Sequence, residues 1–267
     1  MTLQIDRTLD VLELHAGHPE GFQLSETAAR LNMAKGAAHR LLTQLTQRGY
    51  LEQDEKNQRY RLTLRLVVLG FRHLTNTGLT DVCQPELDKL ANITGELVRL
   101  TVVDGDTLIW TAQAQGARHG LRYDGNYGRP VNLTSTATGK CWLSTLDQAR
   151  IEQIITDQGF GDPAEVGPQA LRDLDDVLAE IDRTRQAGYG IAYEEGEPGM
   201  CAIAAAIAGS TPDAPCVGTI SVAAPTVRTP RDKLQQWAPE VMGLAKRLSE
   251  LWPIRDFQSS TLVGLSA

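Results

Sequence analysis

Membrane-spanning and secretory features are missing from this sequence of 267 residues. No apolar run reaches the roughly 18 residues that cross a bilayer. The N-terminus, MTLQIDRTLDVLEL, carries acids where a signal peptide is basic and then apolar. We therefore expect a cytoplasmic protein without a membrane partner. Aromatic residues make up only 5% of the chain, against 42% for all hydrophobic residues, so the cores are expected to be aliphatic.

Cysteine pairs are also missing, because Cys83, Cys141, Cys201 and Cys216 are far apart and form no C-x-x-C motif. The five histidines do not cluster with them, so the spacing typical of a structural zinc site is absent. We expect buried, reduced thiols, no metal and no cofactor. A catalytic Cys201 would need a nearby base. No histidine follows His119, so we predict no catalytic residues.

Basic charge is scarce in most of the chain, whose formal net charge is −7. Residues 1–62 contain eight Lys and Arg and eight Asp and Glu, so residues 63–267 carry that whole charge. Because an acidic surface is repelled by phosphates, nucleic acid is expected to touch only a face of the first part. One segment there, from Lys35 to Tyr50, contains three basic residues and no acid.

The pattern of residues 1–62 predicts a winged helix-turn-helix. A first helix, IDRTLDVLELHA, places Ile5, Leu9 and Leu12 on one face. A short helix, LSETAARLN, then ends at Asn32, which tolerates the left-handed conformation of a tight turn. The acid-free segment forms the next helix and ends at Gly49. The segment YLEQDEKNQRYRLT has the alternation and turn of a hairpin.

In such a unit the last helix lies in the major groove and the hairpin lies beside it. An acid on that helix would face phosphates, which explains why it has none. A basic amphipathic helix by itself is usually a solvated face, and it is the order of the elements that favours DNA binding. The candidate DNA-binding residues are Lys35, Gly36, Ala37, His39, Arg40, Thr43, Lys56 and Arg59.

Several segments resemble the IclR family of bacterial transcriptional regulators. They are TAARLNMAKGAAHRLLTQLTQRGYLEQDEKNQRYRLTLRLVVLG, TSTATGKCWL, GYGIAYEEGEPGMCAIAAAI and GTISVAAP, and they follow the family's order over about residues 5–250. The resemblance implies an α+β fold with an N-terminal winged helix-turn-helix, a linker helix and a C-terminal GAF-like effector-binding domain. It also implies dimers, often paired into tetramers, on palindromic double-stranded operators, and a small-molecule effector.

This order divides the chain into a DNA-binding domain (1–63), a linker helix (64–79), an effector-binding domain (80–252) and a tail (253–267). The linker has an apolar stripe of Leu64, Val67, Val68 and Phe71 that suits packing on a second copy. The DNA helix departs from the family, which usually has hydroxyl residues after its lysine. The remaining polar residues are expected to carry more of the binding: Lys35, His39, Arg40 and Thr43.

The resemblance implies that the effector pocket is lined by the Gly-Lys run, the loop after Gly-Tyr and the two small-residue strands. Relatives that bind small carboxylic acids have Asp, Cys and Ser where this chain has Ala192, Ala202 and Ala223, while Ser221 keeps one serine. We expect a roomier, less polar pocket for an aromatic metabolite or one larger than pyruvate. Backbone amides near Thr138 are also suited to a carboxylate. The candidate effector-binding residues are Ala137, Thr138, Tyr193, Met200, Cys201 and Ser221.

Two alternatives to a non-enzymatic regulator stay open: a metabolite-binding enzyme that uses the helix-turn-helix for assembly, and a purely structural oligomer. The pair Glu194 and Glu195 resembles paired catalytic acids, although adjacent residues of a strand point apart. The segment TSTAT is equally suited to a capping turn.

Overall fold

The computed structural model describes residues 2–70, 79–125, 131–209 and 214–263. The chain divides into two compact units, Met1–Asn76 and Thr77–Ala267, and each is described by itself. Within the described ranges, no helix is both long enough and apolar enough to cross a membrane.

The first unit is a winged helix-turn-helix, as the sequence predicts. Its elements are α1 (Thr2–Ala16), α2 (Leu24–Arg30), α3 (Lys35–Gln47), β1 (Leu51–Gln53), β2 (Tyr60–Leu62) and α4, whose described part is residues 65–70. The two strands pair antiparallel, and Phe22 adds a single bridge to Tyr60. Asn32 has a φ of 46° and Gly49 a φ of 75°, so both predicted chain reversals use the left-handed conformation.

The apolar face that the spacing defines on α1 is buried only in part. Ile5 and Leu9 are 63% and 51% exposed, whereas Val11 and His15 are almost fully buried. Helical spacing defines an apolar stripe, but the contact with α3 and the hairpin selects the residues that turn inward. Those residues are Val11 and His15, with Leu12 packed at the edge of the core. The stripe formed by Ile5 and Leu9 therefore remains on the surface of this unit.

The second unit is a five-stranded antiparallel sheet with helices on both faces. Its elements are α5 (Leu79–Thr94), β3 (Leu97–Asp104), β4 (Thr107–Gln115), α6 (Ala137–Leu143), α7 (Gln148–Gln158), α8 (Leu174–Ala187), β5 (Gly190–Tyr193), β6 (Met200–Ile207), β7 (Gly218–Pro225), α9 (Arg231–Gln236) and α10 (Ala238–Val263). The strand order is β4-β3-β7-β6-β5. This mixed architecture confirms the predicted α+β class.

Strand alternation distributes side chains between two layers. On one face, Ile203 and Val222 pack against α5 and α10 in a core that includes Leu87 and Leu244. The other face meets α6, α7 and α8 around Trp142, in a second core. Because successive side chains of a strand point to opposite faces, neighbours on β5, β6 and β7 belong to different layers.

The C-terminal end differs from the predicted tail that starts at residue 253. Helix α10 continues through Pro253 to Val263. Proline lacks an N–H, but its fixed φ is compatible with a helix, so it does not have to end one. The linker prediction is described only in part, since Phe71 lies outside the described residues. The other predicted boundaries stay predictions.

Candidate functional site

The exposed face of α3 is basic. Lys35, His39 and Arg40 are exposed on it, while Ala38 and Leu42 on the opposite side are buried in the core. Of the other predicted residues on this helix, Gly36 is exposed, and Ala37 and Thr43 are half-buried. The structure therefore groups all six α3 candidates on or beside one surface that contains no acid.

The hairpin separates its two predicted DNA contacts. Lys56 is exposed at the tip of the hairpin. The backbone N–H of Lys56 donates a hydrogen bond of 2.8 Å to the carboxylate of Asp54. The guanidinium of Arg59 instead donates to the carbonyl of Gly21 at 2.6 Å and pairs with Glu26 at 3.2 Å. Arg59 thus ties the hairpin to the start of α2, and its contact with DNA stays a prediction.

The second unit contains a cavity of about 800 Å³ between the sheet and α6. This volume lies in the range of pockets that enclose small organic molecules. Four of the predicted effector residues border it: Ala137 and Thr138 at the start of α6, Met200 on β6 and Ser221 on β7. The segments around Asn132 and residues 158–166 complete the wall.

Two predicted effector residues have side chains in the other layer: Cys201, which is among the residues that border the cavity, and Tyr193, which is not. Ala192 borders the cavity, so the next residue of β5, Tyr193, points to the other layer, where its ring lies 4.9 Å from the guanidinium carbon of Arg231. The thiol of Cys201 donates to the carbonyl of Ala224 at 3.2 Å, inside the core beneath α10. Burial raises the pKa of this thiol to about 12, which makes it a poor nucleophile.

The floor of the cavity includes a row of alanines. Ala192 pairs with Ala202, and Ala202 pairs with Ala223 on the next strand. Directly paired residues of adjacent strands point to the same face, so the three methyl groups lie side by side. These are the positions at which the sequence comparison expects polar groups in relatives that bind small acids. This part of the floor is therefore apolar.

Arg99, which the sequence reasoning missed, lies beside this floor. It pairs with Ser221 across β3 and β7, borders the cavity and is 7% exposed. Its guanidinium carbon lies 3.3 Å from the centre of the Trp110 ring. A charged residue inside the apolar run LVRLTVV was the available signal, because such a residue needs a buried partner or a function.

Tyr123 and Glu197 also line the cavity and form a hydrogen-bonded pair. The hydroxyl of Tyr123 donates to Oε1 of Glu197 at 2.9 Å, and both residues border the cavity. Burial, together with the nearby carboxylate of Glu197, raises the pKa of Tyr123 to about 12. Tyr123 is therefore a neutral donor at physiological pH.

The TSTAT segment forms a capping turn. The hydroxyl of Thr136 accepts from the N–H of Gly139 at 3.0 Å and donates to the carbonyl of Asn132 at 2.6 Å. Helix α6 has seven residues, and this bond already occupies one of its first amides. The cap leaves one amide fewer for the predicted carboxylate site, which stays a prediction.

The neighbouring lysine is buried. Lys140 is 1% exposed and forms an ion pair with Glu195, while its Nζ donates to the carbonyl of Ile191 at 3.0 Å. The other acid, Glu194, accepts from the N–H of Gly199 at 3.1 Å. Both glutamates are therefore held by structural partners, which disfavours the paired-acid alternative.

Metal and thiol chemistry receive no geometric support within the described ranges. No group of three or more His, Cys, Asp and Glu side chains there is arranged around a common centre. All four cysteines are reduced thiols, and Cys216 is partly exposed rather than buried.

Comparison with known proteins assigns both units. The IclR helix-turn-helix domain matches residues 4–55, and the C-terminal domain of the bacterial transcriptional regulator IclR matches residues 71–250. The HTH-type transcriptional regulator BhcR of Paracoccus denitrificans is 31% identical over 248 residues, which cover 92% of this chain and 85% of that protein. The regulator KdgR of Escherichia coli is 26% identical over 241 residues, which cover 90% and 89%.

A solved structure supports the fold. An IclR homolog from Microbacterium hydrocarbonoxydans, crystallised with 4-hydroxybenzoate, has a TM-score of 0.75 at 17% identity, covering 93% of this chain and 99% of that one. With two family domains matched in order, the chain belongs to the IclR family of bacterial transcriptional regulators, which are ligand-responsive.

Proposed function

We propose that this regulator binds a palindromic operator through α3 and changes its operator affinity when a metabolite occupies the cavity. The observation that carries the proposal is the exposed, acid-free face of α3 in a chain whose net charge is −7. The proposed DNA contacts are Lys35, His39, Arg40, Thr43 and Lys56. The expected change in affinity is a coupling free energy of roughly 1–3 kcal/mol.

We propose further that the operator is bound by a dimer, alone or paired into a tetramer. The first unit exposes large apolar side chains on α1 and around α4. The side chains concerned are Ile5, Leu9, Leu64, Leu66, Val67, Val68 and Leu69. A second copy would cover this surface and supply the second reading helix for a half-site about one DNA turn away. Light scattering of the purified protein, with and without DNA, measures the assembly.

The proposed effector is an aromatic or other partly apolar metabolite, larger than pyruvate. The alanine floor and the cavity volume support this class, and an IclR homolog of the same fold was crystallised with an aromatic acid. A thermal-shift panel of keto acids and aromatic acids tests it. Stabilisation by small keto acids, with none by aromatic compounds, would contradict the proposal.

We also propose that the protein is not an enzyme, since the thiol of Cys201 is kept protonated by burial and Glu195 is paired with Lys140. The alternative, an enzyme that uses the helix-turn-helix only for assembly, predicts no DNA complex. A mobility-shift assay with the DNA upstream of its own gene separates the two. We expect a complex at low salt that weakens steeply as salt rises. Absence of a complex at low salt would contradict regulation through α3.

Genomic footprinting of the bound DNA then identifies the operator. Because the neighbouring genes define the regulated pathway, they also define which metabolites to test. A pair of inverted half-sites is the expected result, and a single unpaired site would contradict the dimer.

A further inference from the structure

We propose that Arg99 binds the carboxylate of an organic-acid effector, whose apolar body then lies over the alanine floor. The inference rests on the proposed function of the cavity as the effector site. It adds the charge of the ligand, the residue that recognises this charge and the orientation of the bound molecule.

The first support is the place of the charge. Arg99 is the only Lys, Arg or His among the cavity-lining residues that the structure describes, and it is 7% exposed. A charge-assisted hydrogen bond is strongest where water is excluded. A ligand carboxylate therefore gains more at this point of the wall than at any neutral part of it.

The second support is the way in which Trp110 holds the guanidinium. The guanidinium carbon stands 3.3 Å above the ring centre, so stacking engages the face of the planar group. The five N–H donors of arginine lie in the plane of that group and match the two oxygens of a carboxylate. Trp110 thus fixes the plane in which the donors lie, which is the geometry that bidentate binding needs.

The third support is the arrangement of polar and apolar rows on the sheet. Arg99 and Ser221 form one row, because they are directly paired across β3 and β7. The next row toward the end of β7 is Leu97, Ala223, Ala202 and Ala192. The guanidinium itself lies over Trp110 on β4, so a ligand with its charged end there extends its body across the sheet toward these methyl groups.

The positions of the acids agree with this orientation. Tyr123 donates its hydroxyl to Glu197, so that carboxylate already has a hydrogen-bond donor. Two further acids, Asp162 and Glu165, border the cavity on the segment after α7, which is separate from the sheet row that carries Arg99. A ligand carboxylate at Arg99 is consequently favoured over one beside Asp162 or Glu165, where it would meet like charge.

The test compares acids with neutral amides of the same shape on the full-length protein. Isothermal titration measures benzoate against benzamide and 4-hydroxybenzoate against 4-hydroxybenzamide at neutral pH. We expect wild-type protein to bind the acids about 30-fold or more tightly than the amides, as for a buried charge pair that loses one partner. Arg99→Gln removes this preference, while Arg99→Lys keeps part of it.

A matched control is Arg122→Gln, which removes the same charge from a residue that pairs with Asp124 at 2.7 Å and is not part of the cavity wall. It should leave the acid-to-amide ratio unchanged. Equal binding of acid and amide by wild-type protein would overturn the role of Arg99, as would an unchanged acid affinity in Arg99→Gln. Binding of none of the four compounds would instead overturn the proposed aromatic effector, and this inference with it. If circular dichroism shows that Arg99→Gln is unfolded, the role of Arg99 is tested by the acid-to-amide affinity ratio of the wild-type protein and by the reduced ratio expected for Arg99→Lys.

Discussion

The two units use charge in opposite ways. In the first, Lys35 and Arg40 stand exposed on a helix whose other side is apolar. In the second, Lys140 and Arg99 are 1% and 7% exposed and lie among specific partners. An exposed charge interacts electrostatically with any charged molecule that approaches the surface, and dissolved salt screens this interaction. A buried charge acts only through the groups that it touches, and losing one of them is costly.

The largest expected effect is that of Lys140→Met. The change leaves Glu195 buried without its partner, and removing one member of a buried ion pair costs about 3–5 kcal/mol. The free energy of unfolding of the second unit should fall by this amount. Tryptophan fluorescence during denaturant unfolding measures it, because all four tryptophans, at 110, 142, 237 and 252, belong to this unit.

The control for this variant is Lys89→Met, which removes an exposed lysine paired with Glu86 and should cost under about 1 kcal/mol. Burial already raises the pKa of Glu195, and loss of Lys140 raises it further. A carboxyl whose pKa is higher in the folded state stabilises the fold while protonated. The loss in Lys140→Met should therefore grow from acidic to alkaline buffer. Equal losses in the two lysine variants would remove the contrast between exposed and buried charge.

Next in size is the effect of Arg40→Ala on DNA binding. Loss of a major-groove arginine costs about 1–3 kcal/mol, which is enough to abolish a detectable complex in a mobility-shift assay at moderate salt. Thermal stability should stay unchanged, since Arg40 is exposed. Unchanged operator affinity would mean that α3 is not the reading helix.

A smaller effect separates the two faces of β6. Ala202→Leu projects a larger side chain over the cavity floor and should weaken aromatic-acid binding about 10-fold or more. The adjacent change, Cys201→Ala, alters the core beneath α10 and should lower stability by roughly 1 kcal/mol while leaving affinity intact. Titration calorimetry and thermal melting together measure both. Reversed effects would mean that the faces of β6 have been exchanged.

A spectroscopic effect comes next. Glu197→Gln removes a carboxylate that raises the pKa of Tyr123 above its ordinary value, so this pKa should fall from about 12 while burial keeps it above that of free tyrosine. The stability that Tyr123 contributes is present below its unfolded pKa and is lost as pH rises through the folded value. Ultraviolet titration of the variant, minus that of Tyr123→Phe, measures the shift. An unmoved pKa would mean that Tyr123 and Glu197 do not interact.

The smallest expected effect tests the hydroxyl groups missing from α3. Gly36→Ser fits without a clash, since nothing lies within 4 Å of its side-chain position, and it should gain roughly 0.5 kcal/mol of helix propensity. Ala37→Ser should be tolerated or should tighten operator binding through a phosphate contact. Mobility shifts against wild-type protein measure both. A clear loss in both variants would indicate that the alanine-rich surface itself contacts the DNA.

Local patterns predicted the first unit well, for physical reasons that individual residues illustrate. Asn32 and Gly49 adopt the left-handed conformation that each chain reversal needs, and this requirement is visible in the residue type. Ile5 and Leu9 show the limit of local patterns. Their spacing identifies an apolar stripe, yet whether the stripe is covered depends on what packs against the helix.

In the second unit, the sequence predicted the apolar strands but not the strand register, which sets the face on which each side chain lies. The small-residue strands were recognised, and Tyr193 and Cys201 were predicted to bind the effector, but their side chains lie on the other face of the sheet from the alanine floor. A shift of one residue in a strand exchanges its two faces. Arg99 was missed for a related reason, since its neighbour Ser221 is 122 residues away along the chain.

The sequence by itself determined where charge is placed along the chain, which helix lacks acids, where the turns fall and which strands are apolar. Each of these properties is local, since it depends on residue type and on neighbours within a few positions. Only the tertiary structure decided that Lys140 meets Glu195, that Arg99 stands beside an alanine floor and that Arg59 is held by Glu26. Those contacts join distant segments, and packing and strand register set them.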